Sequence, residues 1–198
     1  LIVCSADKGL CGGFNSSIIR FTKNLSEKMR TQGKDLKYIF IGKKASNAFK
    51  NLVKDDIIKI HTDIANPMVD FKTVIQIRDF ILDLFDKNSF DVCDLIYTEF
   101  KSAISQEVKK TQIIPFKPNI EEKLEEKKQI DEVIYEFEPS EEDILKSIIP
   151  QNIAIQIFTG LLESTASEQG ARMTAMDNAT RNANDKIDDL TMFYNRSR

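Results

Sequence analysis

A chain of 198 residues with 41% hydrophobic and 30% charged side chains has the composition of a folded, water-exposed protein with one sizeable core, and it excludes general disorder. No apolar run approaches the eighteen residues a bilayer crossing needs, and no basic-then-apolar leader precedes the first strand, so any membrane association is expected to be peripheral. The formal net charge of −3 conceals a division: Glu121 to Asp143 carries eleven acids and three bases, while Leu1 to Ile120 carries nineteen Lys/Arg against fourteen Asp/Glu, interleaved with no basic stripe of the kind nucleic acid requires.

Taken in chain order, strand-like and helix-like segments alternate. Leu1 to Ser5 reads as a buried strand, Asn15 or Ser16 as the cap of a helix running to about Thr31, and Leu36 to Ile41 as a second strand. A short helix over Lys44 to Leu52, a strand at Ile57 to His61 and an amphipathic helix over Phe71 to Phe85 follow, the last with Val74, Ile77, Ile81 and Leu84 or Phe85 on one face. Leu95 to Thr98 and Val108 to Phe116 supply a fourth and a fifth strand. This βαβα order predicts an α/β fold, a Rossmann-like, mostly parallel sheet with flanking helices.

Beyond it, the acidic stretch Asn119 to Asp131 reads as an exposed connector, and Val133 to Phe137 as a returning edge strand. Pro139-Ser140-Glu141-Glu142-Asp143 opens a short helix capped by Ser140, which Pro150 is expected to separate from a long one. From Gln151 to Arg198 no proline intervenes. Ile155, Phe158, Leu162, Ala166, Met173, Met176, Ala183, Ile187, Leu190 and Tyr194 recur at three- and four-residue steps, forming a coiled-coil seam that wants a partner helix. Thr165, Gln169 and Thr180 thin that seam. The expected domains are therefore 1–139, the α/β unit with its connector near 119–131, and 140–198, a short helix followed by the long shaft helix.

Leu1 is no initiator methionine and opens directly on a strand, while the last residues offer neither a glycine cap nor a proline stop. We expect a longer protein whose N-terminal segment supplies the partner helix.

The loop Asp7-Lys8-Gly9-Leu10-Cys11-Gly12-Gly13-Phe14-Asn15 lies where a dinucleotide site would place its glycines, but Gly9, Gly12 and Gly13 fit neither GxGxxG nor a Walker A loop. The second strand ends in Ile41-Gly42-Lys43-Lys44, without an acid to receive a ribose hydroxyl. The glycines read as a tight strand-to-helix turn; a nucleotide-binding α/β enzyme with a dimerising helix is the alternative. Cys11, near a helix start and beside Lys8, is a candidate for a lowered pKa. Its potential base, His61, falls on another strand, and three scattered cysteines with one histidine suggest neither a disulfide framework nor a metal site. No acid, base and nucleophile come together, so no catalytic residue, cofactor or metal is expected.

Two stretches carry a family resemblance. Ser5 to Asn15 resembles the strand-turn-helix signature of the gamma subunit of the rotary (F-type) ATP synthase. Leu162-Glu163-Ser164-Thr165-Ala166-Ser167-Glu168-Gln169-Gly170-Ala171-Arg172-Met173-Thr174-Ala175-Met176-Asp177-Asn178-Ala179-Thr180-Arg181-Asn182-Ala183, continued by Ile187 to Thr191 and Tyr194 to Arg196, is similar to that family's C-terminal helix almost residue for residue. The resemblance implies a non-catalytic central-stalk rotor, lacking here its N-terminal helix and C-terminal tip. Such a rotor couples rotation of the membrane c ring to conformational change at the catalytic beta subunits. It implies contact with the alpha and beta subunits through Met173, Met176, Asp177, Arg181, Asn182 and Arg196, and with the epsilon subunit and c ring through Ile149, Gln151 and Ile155. It also implies a peripheral place on the cytoplasmic side of the cell inner membrane, or the matrix side of the mitochondrial one.

Overall fold

The computed structural model describes residues 1–65, 68–116 and 140–198. The expected connector at Asn119 to Asp131 and edge strand at Val133 to Phe137 lie outside the described residues. The elements are β1 (Ile2–Cys4), α1 (Phe14–Thr31), β2 (Tyr38–Ile41), α2 (Lys43–Phe49), β3 (Ile57–His61), α3 (Phe71–Asp86), β4 (Cys93–Phe100), β5 (Gln106–Ile114) and α4 (Glu141–Ser197). They form a five-stranded sheet in the order β3-β2-β1-β4-β5, parallel except for the final β4–β5 pair. The short turn between β4 and β5 leaves no length for a crossover, and so it dictates that antiparallel pairing.

Successive strand residues face opposite sides of the sheet. Ile2 and Cys4 of β1, Ile39 and Ile41 of β2 and Leu95 of β4 join Val74, Ile77 and Ile81 of α3 and Ile153, Ala154, Ile157 and Leu161 of α4 in one core layer. On the other face, Val3, Tyr38, Phe40 and Ile96 meet Phe14 and Ile18 of α1 and Ala45 and Phe49 of α2. Burial of one such Ile or Leu side chain contributes about 1.5–3 kcal/mol. Leu84 only flanks the first layer and Phe85 is exposed, so the apolar face of α3 ends a turn earlier than its sequence pattern suggests.

One helix cap differs from expectation and another agrees with it. α1 starts at Phe14 with Gly13 as N-cap and no side-chain cap bond, because Asn15 is drawn into the preceding loop and Ser16 donates to the Gly13 carbonyl at 2.9 Å. Ser140 does cap α4, accepting from the Asp143 N–H at 3.2 Å. Pro150 does not separate two helices; it lies inside one continuous helix. Its ring nitrogen deprives the Lys146 carbonyl of a donor, but that turn is exposed and water can take the freed acceptor.

Close approach leaves no room for a Cβ at three glycines, Gly42, Gly160 and Gly170. At Gly42, with φ of 100°, an added Cβ would sit 2.0 Å from the Ser5 carbonyl oxygen; at Gly160 it would sit 2.6 Å from Leu95 Cδ2. Gly160→Val would therefore force α4 off β4, and we expect a loss of about 1–3 kcal/mol in unfolding free energy by urea titration, against little change for a substitution at exposed Thr159.

Candidate functional site

A doubly wound sheet takes ligands at the carboxyl ends of its strands, where the strand order reverses. Here that point lies between β1 and β4, with β2 on the far side of β1. The chain fills it with its own groups. Asp7 accepts from the backbone N–H groups of Lys43 at 3.1 Å and Asp63 at 2.8 Å, tying the loops after β1, β2 and β3 together. Asn15 accepts from the Ala6 N–H at 3.0 Å and donates to Cys11 Sγ at 3.0 Å. Leu161, Ser164, Thr165 and Glu168 of α4 cover the crevice beside Cys4, Ser5 and Gly42, leaving a cavity of about 30 Å³. That volume suits a water molecule and is far below what a nucleotide occupies.

The turn itself uses positive φ at Leu10 and Gly12 but not at Gly9 or Gly13, so only one of the three glycines serves its expected conformational purpose. Cys11 reverses its expectation: burial, followed by the Glu168 carboxylate, pushes its thiol up. Burial likewise raises Cys4 to about 12 and Cys93 to about 11. His61 ends β3, and burial followed by Lys59 lowers its pKa. Among the described residues no group of three or more His, Cys, Asp or Glu is placed to hold a metal ion.

The chemistry of recognition lies instead on α4, which has two faces. Ile153, Ala154, Ile157, Gly160, Leu161, Ser164, Ser167 and Ala171 face the domain and are buried. At about 100° per residue this stripe lies opposite the seam read from sequence; Ile155, Leu162, Ala166, Met173 and Met176 are exposed, and only Phe158 is half-buried. The buried face escapes a sequence reading because five of its eight residues are Ala, Gly or Ser. Its signal is the spacing of those small residues, Gly160-Ser164-Ser167-Ala171, which marks close helix–strand approach.

Polar bonds fix the contact. Ser167 Oγ donates to the Thr98 carbonyl at 3.1 Å, and the Phe100 N–H donates to Glu163 Oε2 at 2.8 Å. At Gly170 a Cβ would meet the Phe100 ring at 2.9 Å. From Met176 to Arg198 every residue is exposed. Along this free length stand Met176, Asp177, Arg181, Asn182 and Arg196, with exposed Met173 just below; Asp177 and Arg181 pair at 2.6 Å one turn apart. Ile149, Gln151 and Ile155 are exposed at the other end of the helix. The two groups are strung along one rod and do not converge.

A family model described as ATP synthase matches residues 1–198. The chain is 48% identical over 198 residues to the ATP synthase gamma chain of Paramagnetospirillum magneticum, covering all of itself and 67% of that relative. It is 47% identical over 205 residues to the gamma chain of Rhodospirillum rubrum, again covering 67% of it. Among solved structures it resembles a chain of the central stalk and c ring of the Tetrahymena thermophila mitochondrial ATP synthase, with TM-score 0.70, 31% identity and coverage of 90% of this chain and 75% of that one. A rotor chain of the Euglena gracilis mitochondrial enzyme, at TM-score 0.69 and 19% identity, covers 100% of this chain and 72% of that one, and shares the fold.

The raised thiols make a signed prediction. Cys4 and Cys93 stay protonated in the fold where the unfolded thiol, near its ordinary value of 9.0, has ionised. Their contribution to stability is complete below about pH 9 and is lost as pH rises toward 11–12. Melting temperature measured across that window should fall, and C4A/C93A should flatten the slope.

Proposed function

The chain belongs to the family of ATP synthase gamma chains, the central-stalk rotor subunits of that complex, and we propose a division of labour within it: the α/β domain as foot, α4 as shaft. The subunit is non-catalytic, nucleotide chemistry being done on the beta subunits, and its partners are the alpha, beta and epsilon subunits and the c ring. One observation carries the proposed division. α4 leaves its domain at Met176 and runs on fully exposed, with Ile187, Leu190, Met192, Phe193 and Tyr194 open to neighbours.

In this reading Met173, Met176, Asp177, Arg181, Asn182 and Arg196 meet the alpha and beta subunits. Methionine suits a surface that must fit successive partners, since its unbranched thioether repacks readily. An asymmetric rod turning among the beta subunits offers each a different face, and only such differential contact can bias their conformations. Ile149, Gln151 and Ile155 meet the epsilon subunit and the c ring. A longer gene product is proposed to contribute an N-terminal helix along the exposed seam.

Among the described residues no helix is long and apolar enough to cross a membrane, and the subunit is peripheral to it. We assign it to the cytoplasmic side of a cell inner membrane. Identities of 48% and 47% to the Paramagnetospirillum and Rhodospirillum chains, against 31% to the Tetrahymena mitochondrial one, support that address over the mitochondrial matrix side.

Tagged full-length gene product, extracted in mild detergent, should bring ATPase activity and stoichiometric partner chains with it; recovery as a nucleotide-binding homodimer would sink the rotor reading. In the same complex Met176→Asp should lower coupled ATP synthesis on the order of tenfold while circular dichroism of the α/β domain stays unchanged; full synthesis would remove Met176 from the shaft surface.

A further inference from the structure

Up to Leu161 large side chains, Ile153, Ile157 and Leu161, key α4 into the core, but beyond it the helix meets the domain through small ones, Ser164, Ser167 and Ala171, which hold a helix close but oppose its turning about its own axis only weakly. Directional hydrogen bonds supply that resistance. They gather just below the level at which α4 becomes free.

On one side the Thr174 hydroxyl lies 3.0 Å from the Ala103 carbonyl in the β4–β5 turn and 3.1 Å from the Gly170 carbonyl one helical turn back, its single proton shared between the two acceptors. On another, Arg172 Nη2 reaches the Gly9 carbonyl in the β1–α1 loop at 3.4 Å, its guanidinium held by Glu168 Oε1 at 2.5 Å and Gln169 Oε1 at 3.0 Å. Positions 172 and 174 are about 200° apart around a helix, so the two bonds leave from nearly opposite sides.

Both jaws are braced. In the turn, Ser102 and Ser105 exchange backbone bonds at 2.9 and 3.2 Å, and Gln106 Nε2 donates to the same Ala103 carbonyl at 2.7 Å. In the loop, Asn15 bonds Ala6, Lys8 and Cys11. At Gly12 the loop lies in ordinary van der Waals contact with α4, a notional Cβ falling 3.8 Å from both the Ala171 carbonyl oxygen and Ala175 Cβ.

Resting on the rotor reading, we propose that the β4–β5 turn and the β1–α1 loop form a collar that fixes the rotational phase of the shaft against the foot, with Arg172 and Thr174 as its positioning residues. Torque exerted on residues beyond Met176 enters the foot through this ring. Loss of one hydrogen bond of ordinary strength shifts the balance between gripped and slipped arrangements roughly fivefold.

The test uses the assembled ATP synthase with spin labels introduced by N24C on α1 and D185C on the free part of α4, both exposed positions. Pulsed electron paramagnetic resonance then reads the spread of foot-to-shaft distances. R172Q/T174V should broaden that spread roughly twofold and lower protons pumped per ATP hydrolysed, while the rate of hydrolysis holds. T174S, which keeps the hydroxyl, should retain the parental spread. R172Q and T174V singly should give intermediate widths, and they serve if the double variant does not assemble. An unchanged spread in the variants, or equal broadening by T174S and T174V, overturns the collar. Failure of the parental chain to assemble with its partners overturns the rotor reading, and the collar with it.

Discussion

The contact on which the rest of the molecule depends is the approach of α4 to β4, which brings helix backbone to side-chain distance of the sheet at Gly160 and Gly170. Neither position has room for a Cβ without moving Leu95 in one case or Phe100 in the other. That approach seats Ile153, Ile157 and Leu161 in the same layer as α3, and it puts Ser167 and Glu163 within hydrogen-bond distance of the end of β4. It also carries Leu161, Thr165 and Glu168 over the strand-order reversal, so a place that other folds of this architecture keep open for a ligand becomes helix packing. Loss of a ligand crevice and gain of an anchored rod follow from one close contact.

A helix in this position has to satisfy two environments. Its inner face runs from large apolar residues, Ile153 to Leu161, into small ones that end at Ala171, and its outer face carries the residues of a coiled-coil seam over the whole length. The exposed half keeps its helical form through local pairing, Asp177 with Arg181 and Lys186 with Asp189, and such exposed pairs contribute only a few tenths of a kcal/mol each. Most of the rod's stabilisation therefore comes from its anchored half and from whatever it meets in the assembly.

Much of the α/β part is legible in the residue order because its signals are strong and local. Alternating strands and amphipathic helices fall within a few residues of their expected places, and β3 agrees residue for residue. The cap of α1 departs from expectation because Asn15 has two uses for one side chain, and the loop bonds to Ala6 and Cys11 take it from the helix. Pro150 reads as a break but is none, because its rule describes a cost, not a prohibition, and an exposed turn meets that cost with water. The inner face of α4 is hidden for a different reason: hydrophobic periodicity weights large side chains, whereas close approach is written in small ones. The outer face, which points to partners, is plain in the residue order, since large apolar side chains at helical spacing stand out whether or not their own fold covers them.

The charge on the free end of the rod has a consequence of its own. Residues 173–198 carry four acids and four bases, and two of the acids are already paired with bases along the helix. Beyond about 8–10 Å such a surface is electrically silent at physiological ionic strength. Charge therefore bears on the rod's angle only at contact range, through side chains such as Asp177, Arg181 and Arg196, while at longer range the angular energy profile is set by shape and packing.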